Sequence, residues 1–443
     1  MFRINTALYT TLVAFTLIWV FTDGVLFTEF QFFAWRAAFI QYTGFLAIAT
    51  MSLAMVLALR PRFLEPIFDG LDKIYRLHKW FGISGLIFSV LHFLLANVPK
   101  LLVENGLLDA PEKPESPETT NAIIGFFIEN RELAEEFGDW GFKIALVLIG
   151  IALIKRFPYR FFFWTHRLLA PLYLALAFHS LVLMEFSYWA SPAGVLTAAL
   201  LVAGSVAAVA SLFGRVGKRT RYVGEVGRLE YSEENTILKV GLRMTDRWPG
   251  HEEGQFAFVT FDKYEGAHPF SIASSWNNDG FIAFFVKGLG DFTTKLPNTL
   301  KIGQSAVVEG PYGCFDFQSE KDHQVWIAGG IGIAPFASRL KALAEKPGTK
   351  KIDLFYSTSP SDSEGFIDRI RMASRQAGVT LHVIDPTQGE RLDADGISKA
   401  VPGWRDADYW FCGPVSFGEA LRNGLVSKGI RSANFHRELF EMR

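Results

Sequence analysis

Cysteine is almost absent: the 443 residues hold two, Cys314 and Cys412. That excludes a disulfide framework, a cysteine-based zinc site and a cysteine-ligated iron–sulfur cluster. Excess charge of either sign is also missing. Lys plus Arg is 44 and Asp plus Glu is 45, so no basic field exists to meet phosphates, and no nucleic acid is expected as a partner. Internal repeats are lacking, and the one biased stretch is an acidic, Pro-rich loop around Pro111-Glu-Lys-Pro-Glu-Ser-Pro117. Histidine is scarce, at nine in the whole chain. What is abundant is apolar residue: 50% of the chain is hydrophobic and Phe alone numbers 42. The apolar runs crowd the front half, and the back half has an ordinary soluble composition.

A helix needs about 20 apolar residues to cross a ~30 Å hydrocarbon core. Runs at 5–22, 36–59, 80–98, 140–154, 162–184 and 193–213 predict six spans, with Lys143 near the outer end of the short fourth one. No small-x-small cleavage site follows the first run before Thr22-Asp23-Gly24, so it reads as an uncleaved anchor. Loop charge sets the orientation. Segment 60–79 carries Arg60, Arg62, Lys73, Arg76 and Lys79, and segment 155–167 carries Lys155, Arg156, Arg160 and Arg167. Arg215, Lys218, Arg219 and Arg221 follow the sixth run. The remaining loops are poor in bases, and loop 99–139 has ten acids against three bases. Both termini are therefore expected in the cytoplasm, in an integral membrane protein surrounded by lipid.

From about residue 214 the pattern turns to short strands. Segments 221–230, 236–243, 255–261, 281–287 and 305–309 predict a small antiparallel β-barrel, closed by a tight turn at Gly310-Pro-Tyr-Gly313. From about 323, strands at 325–328, 352–356, 380–384 and 409–411 alternate with helical stretches, the pattern of an α/β parallel-sheet nucleotide-binding domain. The expected organisation is three domains: a six-helix transmembrane bundle at 1–213, an antiparallel barrel at 214–320 and an α/β nucleotide-binding domain at 321–443.

Only four histidines precede residue 214, namely His78, His92, His166 and His179, and all fall in the third and fifth spans. Ionisable groups inside a membrane are costly and mark function. Paired imidazoles are axial ligands for haem iron. His78 and His92 lie 14 apart and His166 and His179 lie 13 apart, about 20 Å along a helix, which suits two haems stacked across the bilayer. Fourteen steps return to within about 40° of one face, but thirteen land about 140° away. Pro171 lies between the second pair and can kink that helix.

The soluble half carries four chemical motifs. In His268-Pro269-Phe270-Ser271-Ile-Ala-Ser274, Ser271 can donate toward a flavin ring. Lys287-Gly-Leu-Gly290-Asp-Phe-Thr293-Thr294 offers an amine, a turn and hydroxyls to a pyrophosphate at a helix N-terminus. Ala328-Gly329-Gly330-Ile-Gly332-Ile-Ala-Pro335 follows a strand and opens a helix, as a phosphate-binding turn does. Phe411-Cys412-Gly413-Pro414 would set Cys412 against a nicotinamide, and the aromatic tail at 435–443 would cover a flavin face. A two-electron donor and one-electron haems need a flavin between them.

Together these residues resemble the NADPH oxidase and ferric reductase superfamily, especially its bacterial single-chain members, over nearly the whole chain. The resemblance implies an inner haem b on His78 and His166, an outer haem b on His92 and His179, FAD at the His268–Ser271 motif, and a bacterial inner membrane. Arg76, Lys79 and Arg167 are the candidate partners of the inner propionates, or simply topology charges. Glu438 and Phe440 fall near the flavin with Cys412, and Met442 rivals Phe440 for the covering position. The nicotinamide is NADPH or NADH: Ser357, Thr358 and Ser359 suit a 2′-phosphate, while Asp362 and Glu364 oppose one. Oxygen giving superoxide is the first expectation for the acceptor. A ferric chelate or a periplasmic redox partner is the alternative, since the outer loops lack histidine. A membrane anchor or transporter with a degenerate reductase tail is the reading from another class.

Overall fold

The computed structural model describes residues 2–23, 31–109, 121–154, 156–358 and 362–438. They fall into two compact units, one of residues up to Leu64 with Lys73–Val216, the other of Glu65–Asp72 with the chain from Gly217 onward.

The first unit is helical, because runs this apolar and this long can satisfy their backbone only by helix in a hydrocarbon environment. Its helices are α1 (Phe2–Thr22), α2 (Phe32–Ala58), α4 (Leu71–Glu104), α5 (Ala122–Glu129), α6 (Arg131–Leu153), α7 (Tyr159–Arg167), α8 (Leu169–Leu183), α9 (Phe186–Trp189) and α10 (Pro192–Leu212); the short α3 (Glu65–Phe68) belongs to the second unit. Among the described residues five helical stretches are long and apolar enough to cross a membrane: α1, α2, α4, α7 with α8, and α10. The run at 140–154 lies in α6, whose first half carries Glu132, Glu135, Glu136 and Asp139.

Helix α10 packs on α2 and α8, and α6 packs on α8. Small residues allow the approach: a Cβ on Gly204 would lie 2.1 Å from the Tyr173 hydroxyl, which bonds Ser52 Oγ at 2.7 Å. The fifth apolar run is not one straight helix. It breaks at Leu168, between α7 and α8 and three residues before Pro171. Pro171 has no N–H, so the carbonyl of Arg167 has no donor four residues on. Helix α4 instead runs through Pro99. That proline deprives the Leu95 carbonyl of its in-helix donor, and Arg36 of α2 replaces it, with Nε 2.9 Å from Leu95 O and Nη2 2.8 Å from Ala96 O.

The second unit holds two sheets. Strands β1 (Arg221–Ser232), β2 (Ile237–Met244), β3 (Phe256–Thr260), β4 (His268–Ser271), β5 (Phe281–Lys287) and β6 (Ser305–Tyr312) form an antiparallel sheet in the order β4-β3-β6-β1-β2-β5. Its edges meet at a single bridge, Ile272 to Phe284, and at the bond from Ala273 N to Ala283 O, rather than along a ladder. Alternating inward residues Leu238, Val240, Leu242, Ile282, Phe284 and Val286 make its core. The segment expected to be a tight turn, Gly310-Pro311-Tyr312, is instead the end of strand β6. Tyr312 pairs with Phe256 across a register shift, one of the kinds of place where a strand tolerates a proline.

Strands β7 (His323–Gly329), β8 (Lys351–Ser357), β9 (Thr380–Ile384), β10 (Asp408–Cys412) and β11 (Phe435–Arg437) make a parallel sheet, in the order β11-β10-β7-β8-β9. Helices α12 (Ala334–Glu345) and α13 (Glu364–Gln376) cover one face, and α14 (Ala394–Ala400) and α15 (Val415–Ser427) the other. Helix α11 (Asp291–Thr299) follows β5. Sequence patterning missed β4 and β11, which at four and three residues are too short to show a period.

Arg36→Met should leave the Leu95 and Ala96 carbonyls without that donor, at a cost of about 1–3 kcal/mol. The detergent-solubilised protein should melt earlier, and adding Pro99→Ala, which returns an N–H to Leu95 O, should recover part of the loss. An unchanged melting temperature in Arg36→Met refutes this account.

Candidate functional site

The four membrane histidines come together in two pairs. The rings of His78 and His166 are 5.9 Å apart between centres, and those of His92 and His179 are 6.1 Å apart. The break at Leu168 turns His166 on α7 toward the same partner helix as His179 on α8, which a straight helix would not do. Three of the four rings fix their Nδ1 on a helix carbonyl: His78 on Ala54 O at 2.8 Å, His92 on Ile40 O at 2.9 Å and His179 on Ala134 O at 2.7 Å. A carbonyl only accepts, so each Nδ1 carries the proton and each Nε2 keeps the lone pair. That tautomer is the one a metal needs, and the carbonyl bond is the usual outer-shell support. His166 Nδ1 is buried with no hydrogen-bond partner, and its ring stacks on Phe162 at 5.0 Å. Glycines make room for the other pair. A Cβ on Gly138 would lie 2.2 Å from His179 Cε1, and one on Gly44 would lie 3.2 Å from His92 Cε1.

An iron between two imidazole nitrogens, at metal–nitrogen bonds of about 2 Å, sets the ring centres roughly 6 Å apart. The donor set therefore fits a bis-imidazole haem at each pair. Sequence reasoning passed over Arg36, Gly44 and Gly138. The signal for Arg36 was a lone arginine inside an apolar run; the glycines gave none.

In the second unit, the His268–Ser271 motif is strand β4 itself, laddered to Phe256–Val259 of β3. His268 is mostly buried, stacks on Phe292 of α11 at 4.6 Å, and is pushed down to about 4 by burial. Pro269 pairs with Phe258, and Phe270 packs on the sheet core. The Ser271 hydroxyl has no side-chain hydrogen bond among the described residues, so it is available to a ligand. Ser274 Oγ accepts from Ala283 N at 3.1 Å and keeps its own O–H to donate, and the Ser274 carbonyl accepts from His251 Nε2 at 2.8 Å. Lys287 ends β5, Gly290 caps α11, and Thr293 Oγ1 accepts from the backbone N–H of Leu289 and Gly290 at 3.1 and 3.2 Å. Thr294 Oγ1 would stand 3.3 Å from a Cβ on Gly288. The His268–Phe292 stack thus joins the ring motif to the pyrophosphate motif.

At the parallel sheet, Gly329 pairs with Ser357 and Ala328 with Cys412, so three motifs share the carboxyl edge where α/β sheets bind ligands. The glycine turn is shaped as much by protein as by any phosphate. A Cβ on Gly332 would lie 2.2 Å from Cys412 O, one on Gly329 would lie 2.9 Å from Pro414 Cδ, and one on Gly413 would lie 3.1 Å from Gly329 Cα. Gly330 has a φ of +53, and Pro335 sits in the first turn of α12. Cys412 is fully buried, and burial, then the Glu438 carboxylate, push its thiol well up. It is a protonated packing group with a polarisable sulfur rather than a nucleophile. Glu438 is buried, with Oε1 3.2 Å from where a Cβ on Gly313 would be. Phe440, Met442 and Ser359 lie outside the described residues.

Comparison with known proteins assigns the two halves. Residues 43–177 match the family described as ferric reductase like transmembrane component, and residues 224–316 match an FAD-binding domain. The toluate 1,2-dioxygenase electron transfer component of Pseudomonas putida is 30% identical over 176 residues, 38% of this chain and 52% of that protein. A flavohemoprotein of Oceanobacillus iheyensis is 25% identical over 163 residues, 34% of this chain and 40% of that one. A ferredoxin reductase in carbazole 1,9a-dioxygenase superposes with a TM-score of 0.42 at 22% identity, covering 50% of this chain and 69% of that one. The chain spans about half the length of the curated relatives it matches. A stretch similar to a ferric reductase like transmembrane component is thus followed in one chain by a stretch similar to an FAD-binding domain.

Because the folded His268 stays neutral down to about 4 while the unfolded one protonates near 6.5, stability should fall as pH drops through that window and level off below it. The loss is at most about 3 kcal/mol. His268→Gln should flatten this slope in thermal melts of the full chain between those pH values; an identical pH profile in the variant contradicts it.

Proposed function

We propose that the chain carries electrons across a membrane, from cytoplasmic NAD(P)H through FAD and two haems b to an acceptor outside, with oxygen giving superoxide as the acceptor. The observation that carries the reading is the pair of imidazole couples at 5.9 and 6.1 Å. Each is spaced for one iron, and their ligands lie 14 and 13 residues apart. The reading divides the chain into a six-helix domain at 1–213, an FAD-binding barrel at 214–320 and a nicotinamide domain at 321–443, with both termini in the cytoplasm of a bacterial inner membrane.

When bound, flavin accepts a hydride and releases electrons singly, and a bis-imidazole haem passes one electron at a time. The chain's own residues do the rest. Ser271 offers its hydroxyl to the flavin ring, and Phe292, stacked on His268, ties the ring strand β4 to the pyrophosphate helix α11. Lys287, Gly290, Thr293 and Thr294 shape the pyrophosphate turn. Gly329, Gly330, Gly332 and Pro335 open the nicotinamide edge, with Ser357 beside them for the adenosine ribose or its 2′-phosphate. Cys412 and Gly413 close that edge. The protonated thiol packs against the nicotinamide without reacting, and Glu438 provides a carboxylate beside it, with Phe440 or Met442 covering the flavin. His78 and His166 hold the inner haem; His92 and His179 hold the outer one. His78, His92 and His179 present Nε2 because Ala54, Ile40 and Ala134 hold their Nδ1 protons.

Purified protein should show a reduced b-type haem band with two haems per chain. His92→Leu should lose the outer haem and retain NAD(P)H-to-FAD reduction, whereas His78→Leu should block entry to either haem. A spectrum without haem ends the reading, leaving an anchor or transporter with a degenerate tail; two haems retained in His92→Leu break the pairing.

The acceptor is read by a separate assay. NAD(P)H-driven cytochrome c reduction should be strongly inhibited by superoxide dismutase. No inhibition, with rapid anaerobic reduction of ferric chelate, would assign a metalloreductase or a periplasmic redox partner instead.

A further inference from the structure

Helix α2 bears no histidine, yet it touches both histidines of α4. His78 Nδ1 reaches Ala54 O at 2.8 Å and His92 Nδ1 reaches Ile40 O at 2.9 Å. The two acceptors are 14 residues apart on α2, as the two histidines are on α4. The helices are antiparallel here and keep one register from contact to contact, about 20 Å along each axis. Halfway between the histidines is Gly85, and the residue facing it in that register is Ala47, halfway between Ile40 and Ala54. A Cβ on Gly85 would stand 2.9 Å from Met51 Cγ, 3.2 Å from Thr50 Oγ1 and 3.6 Å from Ala47 O. A side chain there must displace Met51, and a large one must also part α2 from α4 at the centre of a ladder that both histidines need. Gly138 on α6 differs: the three atoms nearest its Cβ all belong to His179.

We infer that α2 is the ruler that sets the tautomer and depth of both α4 histidines at once, and that Gly85 is the positioning residue that lets it do so. The inference rests on the haem reading. Its physical content is that one separation, between α2 and α4, controls the outer-shell hydrogen bond of one ligand in each pair. Losing such a bond weakens metal holding by about 10–100-fold. A wedge at Gly85 therefore acts on the inner and outer haem together, although it is seven residues from either ligand. A wedge at Gly138 acts on the outer haem only.

The experiment is haem stoichiometry by pyridine haemochrome, with low-spin EPR of the full chain purified from membranes. The wild type must first show two haems; if it shows none, the electron-transfer reading fails, and the ruler with it. Given two, Gly85→Leu should weaken haem affinity at both sites at least about tenfold, read as haem lost from both on dilution, and Gly138→Ala should weaken the outer one alone. Gly85→Ala should keep both haems with both EPR signals shifted, and adding Met51→Ala, which removes the nearest clashing atom, should return them toward the wild type. That rescue separates positioning from general damage, and it decides the matter if Gly85→Leu fails to accumulate. Two unshifted haems in the Gly85 variants, or an effect on one haem only, overturns the inference.

Discussion

A neutral imidazole in hydrocarbon must place one N–H and one lone pair, and this constraint organises the membrane half of the protein. The N–H finds a helix carbonyl at His78, His92 and His179. A helix carbonyl already accepts one in-helix bond, but its second lone pair is open. The other nitrogen then keeps its lone pair, in rings whose centres lie 5.9 and 6.1 Å from those of their partners. That constraint accounts for the register of α2 against α4 and for the small residues at Gly44, Gly85 and Gly138. His166 stands apart, buried without a partner for Nδ1. Its position is set by the stack on Phe162 and by the chain turn at Leu168.

The same logic of a donor made good by a neighbour recurs at Pro99. The proline removes a hydrogen bond from α4, and Arg36 restores it from α2. The repair adds a third tie between these two helices, one turn before Ile40 on α2. Helix α2 therefore holds α4 at Ile40, Ala54 and Arg36, with contact at Gly85 between.

The soluble half solves a different problem: bringing four short motifs to shared edges. The parallel ladder does this at the nicotinamide edge, because pairing Gly329 with Ser357 and Ala328 with Cys412 aligns three strand ends. Close backbone approach does the rest. Gly332 lies against the Cys412 carbonyl, where a methyl group would not fit. Burial makes the Cys412 thiol a packing group whose proton is held more tightly by the Glu438 charge.

The division between sequence and tertiary structure follows from the range of the forces involved. Hydropathy, loop charge and strand period act locally, so the apolar helices, the antiparallel and parallel sheets, and the four histidines at spacings of 14 and 13 were legible in the chain. So were the chemical motifs, each contained in fewer than ten residues. The sequence by itself also raised the phase conflict of the 13-residue spacing, without resolving it. What only the tertiary structure decided depends on contacts between residues far apart. His92 meets the carbonyl of Ile40, 52 positions away, and His179 that of Ala134, 45 away. Ser274 accepts from Ala283, Gly310–Tyr312 ends a strand with Tyr312 paired to Phe256, and Gly85 acquires a role only because α2 lies against it. A glycine or a carbonyl has no side-chain chemistry to announce itself, so its part in a site is written by packing alone.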